Sequence, residues 1–326
     1  MRVAVIGVGH MGSLHVQKWL RHPEVELVGM YDIDRDRLQQ LSREYGVQPL
    51  RSLEEAFQVA EAVTIATPSR THAEIARRAL EAGCHCLVEK PLATTVAEAE
   101  ELRMRAERCG CILMAGHVER FNPAFLWLRA QGVVPRFVEV HRLHPFRPRA
   151  VDVSVVLDVM IHDLDLLLVL LQCGVERWEA HGVAVLTELP DIANVRLVFA
   201  NGCVANITAS RVSAKFLRKM RLFQPSSYIA LDFAAQVVEQ IRVRVGVEGE
   251  GEDEECVARW SVGGQQRVMT RRLLRLPASD PLWEEQRVFL QAIRSREPAL
   301  AGLEQTVEAL RIAEQIEQSL QDVRLA

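Results

Sequence analysis

A chain of 326 residues, 49% of them hydrophobic, can fill two domain cores or one large one. Its formal net charge of -4 excludes an overall basic field that would draw nucleic acid, and no stretch approaches the roughly 20 apolar residues that span a bilayer. The opening residues MRVAVIGVGHMG enter a strand pattern without the regions of a secretory signal, and seven cysteines in so long a chain fit a reducing compartment, so a cytoplasmic protein is expected.

From residue 1 to about 118, short β-branched runs alternate with helical patterns: RVAVIG, HMGSLHVQKWLR, VELVGMYD, RDRLQQLSREY, AVTIATP, HAEIARRALEAG, CHCLVEKP, VAEAEELRMRAERC and CILMAG. Such alternation predicts βαβ units and a doubly wound parallel sheet with helices on both faces. Cys84 with Cys86, and Cys109 with Cys111, resemble metal-ligand pairs, but each pair sits on an apolar, strand-like run. Buried thiols are the simpler reading, and no metal site is expected.

After residue 118 the pattern changes. A helical stretch around NPAFLWLRAQ and a strand RFVEVHRLH lead to an apolar helix containing LDVMIHDLD. Strand-like runs then follow one another without helices between them, among them RWEAHGVAVL, DIANVRLVFA, GCVANITASRV, RKMRLFQ, SYIALDF, QVVEQIRVRV and ECVARWSV. That succession predicts a mostly antiparallel sheet. Two helical patterns, PLWEEQRVFLQAIRS and EQTVEALRIAEQIEQSL, close the chain, and the acidic run at 248–255 reads as a solvated hairpin loop. The expected fold class is α/β, with a doubly wound domain over 1–118 and an α/β domain with a large, mostly antiparallel open sheet over 119–326.

Gly7, Gly9 and Gly12 have G-x-G-x-x-G spacing directly after the first strand, with His10 and Met11 between the last two. There the first glycine allows a tight turn, the second lets a pyrophosphate approach the backbone, and the third permits close helix-strand packing. The helix N-terminus then faces the phosphates. Asp32 ends the next strand, where a carboxylate accepts from ribose hydroxyls and repels a 2'-phosphate. NAD is therefore expected over NADP, with Arg35 and Arg37 as the opposing signal. Thr67, Pro68 and His72 follow the strand AVTIATP at the carboxyl edge of the sheet, as cofactor contacts or as a proline turn in which Ser69 or Thr71 caps a helix.

Glu89 and Lys90 reach the same edge after CHCLV. An ammonium there can hydrogen-bond a substrate hydroxyl and favour a developing alkoxide; the plain alternative is a surface pair before a proline turn. In LDVMIHDLD, Asp158 and His162 are four apart and Asp165 continues their helical face, whereas Asp163 points elsewhere. A histidine suits proton abstraction near neutral pH, and a carboxylate one turn away can orient it. Apolar residues nearly all round make charge in this helix costly unless it is paired or used.

In order along essentially the whole chain, VIGVGHMG, ATPSRTH, VEKPLA, GHVERFNPA and the Asp-x-x-x-His of LDVMIHDLD resemble the family of glucose-fructose oxidoreductase, inositol dehydrogenase and MocA-type proteins. The resemblance implies a Rossmann domain followed by an α/β domain whose open sheet builds homodimers or homotetramers. It matches Lys90 to the lysine of the family's Glu-Lys-Pro motif, and Asp158 and His162 to its catalytic carboxylate and histidine. His162 is then the implied base with Lys90 positioning the reacting oxygen, or the two exchange roles. Asn122 is matched to the polar residue beside the nicotinamide and substrate.

Val140 to Val151 carries Arg142, Arg147 and Arg149 without an acid, and Ile192 to Leu231 carries Arg211, Lys215, Arg218, Lys219 and Arg221, again without one. Such bias suits an anionic ligand or a solvated strand face, and arginine forks match phosphate; Arg149 and Arg211 are the candidate substrate contacts. GHVERFNPA, VVLDVMIHDLDLLL and RKMRLFQPSSYIALDF are similar to a branch of that family. The likeness implies oxidation of the 3-hydroxyl of UDP-N-acetylglucosamine to a ketone, ahead of amination toward a diamino sugar of lipid A. The rival expectations are a dehydrogenase of a free sugar or inositol, and a non-catalytic NAD-binding sensor of the same fold.

Overall fold

The computed structural model describes residues 1–146, 153–246, 253–298 and 302–322. Two compact units result: Met1–Val118 with Asp280–Glu314, and Glu119–Ser279 with the chain from Gln315 onward. Residues 248–252 of the acidic run lie outside the described residues.

In the first unit β1 (Arg2–Ile6), α1 (His10–Trp19), β2 (Glu26–Tyr31), α2 (Arg35–Tyr45), α3 (Leu53–Val59), β3 (Ala62–Ile65), α4 (His72–Glu81), β4 (His85–Glu89), α5 (Val96–Cys109) and β5 (Leu113–Gly116) follow in turn. The strands pair in parallel in the order β2-β1-β3-β4-β5, so the strand order reverses between β1 and β3. Val3 to Ile6 are all fully buried, as a strand covered on both faces requires. Side chains start the helices: Asp34 accepts from Arg37 N, Ser52 from Glu55 N, and Thr95 forms a capping box with Glu98. Cys84 and Cys86 are buried, and burial pushes the Cys84 thiol up to about 11.

The expected domain 119–326 does not hold together as one body, because α8 (Pro281–Ser295) and the first part of α9 (Leu303–Asp322) belong to the first unit. The apolar side of α8, with Leu282, Phe289 and Leu290 buried, packs on α1. Trp283 stacks on His22 at 4.6 Å, and Lys18 Nζ lies 2.5 Å from Asp280, the N-cap of α8. These partners lie more than 250 positions apart in the chain, so no local pattern could show their pairing.

The second unit holds α6 (Pro123–Ala130), β6 (Phe137–Leu143), a π-turn over Val156–Met160 that runs into α7 (Ile161–Leu171), and eight further strands. These are β7 (Val175–Val183), β8 (Ile192–Phe199), β9 (Val204–Ser210), β10 (Leu217–Gln224), β11 (Ser227–Asp232), β12 (Val237–Val245), β13 (Glu255–Val262) and β14 (Gln265–Arg275). The sheet order is β13-β14-β12-β11-β10-β6-β9-β8-β7, antiparallel except where β6 meets β9. Alternate residues turn inward, among them Val138, Val140, Met220, Leu222, Ile229 and Leu231. The strand β14 is absent from the expected runs because its arginines mask the alternation; Val268 and Thr270 are buried while Arg271 is exposed. No described helix is long and apolar enough to cross a membrane.

Candidate active site

The fingerprint loop is shaped for a diphosphate. Gly7 has φ +83° and donates its N–H to Tyr31 O at 2.8 Å, and a Cβ there would lie 2.7 Å from Ala66 O. A Cβ on Gly12 would lie 1.8 Å from Gly7 O, so α1 can approach β1 only through glycine. Gly9 differs: no atom lies within 4 Å of its Cβ position, it is the N-cap of α1 without a side-chain cap, and the first turn holds no acid. Open space in front of backbone N–H groups is what an approaching pyrophosphate needs. His10 is exposed and Met11 half-buried at this helix start. Asp32 is buried, its Oδ2 accepting from Val8 N and its Oδ1 from Asp34 N, each at 2.8 Å. Those bonds aim the carboxylate at the loop's own edge, with Arg37 Nη1 3.8 Å from Oδ2. The residues present fit NAD.

Beyond β3, Thr71 Oγ1 lies 2.8 Å from Thr67 Oγ1 and 2.7 Å from Pro68 O within a 3-10 turn over Ser69–Thr71. Neither Ser69 nor Thr71 caps α4 with its side chain. The expected cofactor contact at His72 is corrected by its geometry. The ring is buried, with Nδ1 2.8 Å from Pro91 O and Nε2 2.8 Å from Thr67 O. His72 thus ties the loop of Thr67 and Pro68 to the segment after β4, and both nitrogens face backbone rather than an open site.

Lys90 is half-buried just past β4, and its peptide bond to Pro91 is cis. Its neighbour Glu89 is held by residues the motifs did not point to. His15 Nε2 lies 2.9 Å from Glu89 Oε1, and Gln286 Nε2 lies 3.0 Å from His15 Nδ1 and 3.2 Å from His15 O. Burial opposes ionisation of Glu89, but the His15 hydrogen bond and the nearby Lys90 charge outweigh it and hold the carboxyl below its ordinary value. A polar ring on the buried face of α1 was the available signal for His15; Gln286, on α8, offered none.

In the second unit, Asp158 and His162 are half-buried, whereas Asp163 and Asp165 are buried. The π-turn ends with Ile161 N donating to Val156 O, an i→i+5 bond that widens the turn around Asp158. Asp165 is held by a residue the sequence reading did not point to: Arg120 Nε donates to its Oδ2 at 2.7 Å and Nη2 closes the fork on Oδ1. Asp163 receives Arg142 Nε at 2.9 Å and Nη2 at 2.8 Å, while Arg142 Nη1 donates to Glu119 at 2.9 Å. Burial alone would lower the Arg142 pKa; Asp163 and Glu119 outweigh it, and the guanidinium stays protonated with its pKa raised.

Three further expectations are corrected or left outside. Asn122 caps α6, its Oδ1 accepting from Ala124 N at 3.1 Å and its Nδ2 donating to Phe233 O at 3.0 Å, so its amide serves the fold. Arg211 is 2% exposed, donating to Asp191 Oδ1 at 2.7 Å, Val153 O at 2.8 Å and Thr187 Oγ1 at 2.9 Å, so its guanidinium is engaged within the fold. Arg147 and Arg149 lie outside the described residues. The runs without acids are met by acids from elsewhere: Lys219 pairs with Asp232, Arg221 with Glu139, and Arg218 with Glu119. Lys215 remains exposed.

Residues 1–117 match the profile of an oxidoreductase family with an NAD-binding Rossmann fold, and residues 128–223 match the GFO/IDH/MocA C-terminal domain. The UDP-N-acetylglucosamine 3-dehydrogenase of Acidithiobacillus ferrooxidans is 39% identical over 234 residues, 72% of this chain and 74% of that protein. Its solved structure gives a TM-score of 0.86 at 32% identity, covering 99% of this chain and 98% of that one. The scyllo-inositol 2-dehydrogenase (NAD(+)) of Bacillus subtilis is 27% identical over 244 residues, 65% of this chain and 68% of that protein. With a diphosphate cradle, a ribose carboxylate and a Glu-Lys-Pro edge in its first unit, the chain belongs to the Gfo/Idh/MocA family of NAD-dependent oxidoreductases.

Proposed function

We propose that this chain oxidises the 3-hydroxyl of UDP-N-acetylglucosamine to a ketone. The observation that carries the reading is its likeness to the A. ferrooxidans 3-dehydrogenase, which extends over 98% of that structure at a TM-score of 0.86. Bound NAD supplies the hydride acceptor, held by Gly7, Gly9, His10, Met11, Gly12 and Asp32, with Thr67, Pro68 and Glu89 at the nicotinamide end. His162, half-buried, takes the hydroxyl proton, and Asp158 orients the ring and offsets the charge it gains. The Lys90 ammonium hydrogen-bonds the reacting oxygen as negative charge develops on it. For the diphosphate, the exposed Lys215 takes the role first given to Arg211, and Arg149 keeps its place from sequence alone.

A ketone at this carbon is the form amination requires, which suits supply of a diamino sugar of lipid A. Buried free thiols at Cys84, Cys86 and Cys111 suit the cytoplasm. The outer face of the second unit's sheet, where Glu139, Arg221 and Tyr228 are half-exposed, is the proposed contact of a homodimer or homotetramer.

NAD reduction measured with UDP-N-acetylglucosamine, free N-acetylglucosamine and myo-inositol tests the substrate, with turnover expected only for the first. A ligand at 100 times its dissociation constant adds about 2.7 kcal/mol of stability, enough for a thermal shift in the presence of NAD. No shift with any UDP-sugar would sink the proposed substrate.

A further inference from the structure

We propose that His15 and Gln286 are positioning residues that hold Glu89 as an ionised carboxylate at the nicotinamide end, so that the protein binds the oxidised cofactor more tightly than the reduced one. The inference concerns the cofactor alone and is independent of which sugar is oxidised.

The tautomer follows from one contact. Gln286 Nε2 lies 3.2 Å from the carbonyl oxygen of His15, which can only accept, so the amide nitrogen and not its oxygen occupies that position. The same nitrogen lies 3.0 Å from His15 Nδ1, which makes Nδ1 an acceptor and leaves the ring proton on Nε2. Nε2–H then donates to Glu89 Oε1 at 2.9 Å. His15 and Gln286 are both fully buried, so this orientation has no competition from water.

A third element shapes the same pocket. A Cβ on Gly116, at the end of β5, would lie 3.2 Å from Glu89 Cα and 3.3 Å from Oε2, so the absence of a side chain there leaves the carboxylate its room. Residues from α1, α8 and β5 thus converge on one carboxylate at the carboxyl edge of β4. In an open parallel sheet that edge is where the cofactor lies. The nicotinamide ring is cationic when oxidised and neutral when reduced. A fixed negative charge in a site shielded from water attracts only the first form. Preference for the oxidised form aids its capture and the release of the reduced one.

The test is equilibrium binding of NAD+ and NADH, followed by calorimetry without any sugar. Glu89→Gln keeps the shape and removes the charge; it is expected to weaken NAD+ about tenfold while NADH changes less than about twofold. His15→Leu removes the donor and is expected to do the same, with its NAD+ affinity now falling as pH is lowered, because the His15 hydrogen bond no longer helps to offset burial at Glu89. His15→Gln restores a donor of similar reach and is expected to recover the wild-type ratio. Equal losses for both cofactor forms in Glu89→Gln, or an unchanged ratio, would overturn the proposal. Should His15→Leu fail to fold, Glu89→Gln and His15→Gln still decide it.

Discussion

The two units use charge in opposite ways. In the first, the site is made largely of backbone: glycines that admit a phosphate, a helix start without a cap, and Asp32 pinned by two N–H groups. In the second, charge is mostly consumed internally: Arg142, Arg211, Asp163, Asp165 and Asp191 are all buried in ion pairs. A cradle made from one strand-turn-helix segment is encoded in local spacing. An ion pair between a strand and a distant helix is encoded in two places at once, and a count of charge along either segment mistakes it for an empty binding patch.

The comparison is sharpest within LDVMIHDLD, where Asp158 and His162 are half-buried and the two later aspartates are committed. His162→Ala is expected to lower kcat about 10²- to 10⁴-fold without loss of fold, the usual effect of removing a general base. Steady-state kinetics beside a thermal melt checks it. Turnover near wild type would put the working base elsewhere, with Lys90 the first alternative.

For the committed charges the expected effect is on stability. Arg142→Met leaves Asp163 buried without its cation and Glu119 with only Arg218, and such a broken pair typically costs about 3–5 kcal/mol. Urea unfolding measures it. Lys215→Ala, on an exposed side chain of the same unit, is expected to stay within about 0.5 kcal/mol. If the two variants unfolded alike, the contrast between committed and available charge would fail.

The sequence therefore reveals the two units unequally. The fingerprint, Asp32, Lys90 and the alternation of strands and helices in the first unit are short-range features, and each has its counterpart in the fold. Gln286 and the packing of α8 on α1 depend on a chain return that no periodicity records. The π-turn before α7 was equally hidden, since its residues have an ordinary helical pattern. The structural partners of Arg211 and Asn122 were hidden for one reason: Asp191 and Phe233 lie 20 and 111 positions away.

Asp191 gives the comparison a pH dependence. Burial alone would raise its carboxyl, but the N–H groups of Leu186, Thr187 and Val185 and the Arg211 guanidinium outweigh it and hold it well below the usual carboxylate range. A folded pKa below the unfolded value adds stability above the unfolded value, and that stability is lost as pH falls through the folded one. Asp191→Asn keeps an accepting oxygen, so a loss of about 1–3 kcal/mol is expected at neutral pH. The gap from wild type should be constant above about pH 5 and close in acid. Chemical denaturation from pH 7 to pH 3 checks it; a gap that widened in acid would contradict the ion pair.

The smallest loss expected among the buried polar groups separates fold from cofactor at Asn122. Its side chain satisfies an N–H of the first turn of α6 and reaches Phe233 O, so Asn122→Ala removes a helix cap together with a buried donor. Loss of such a cap costs about 1 kcal/mol. Because the amide is spent on backbone, NAD+ affinity should be unchanged, whereas a direct role beside the nicotinamide would weaken binding while leaving stability nearly intact. Denaturant midpoint and NAD+ titration on the same sample distinguish the two. A lowered midpoint with intact affinity would place Asn122 with Arg142 and Arg211, among the polar residues that build the second unit and do not work in its site.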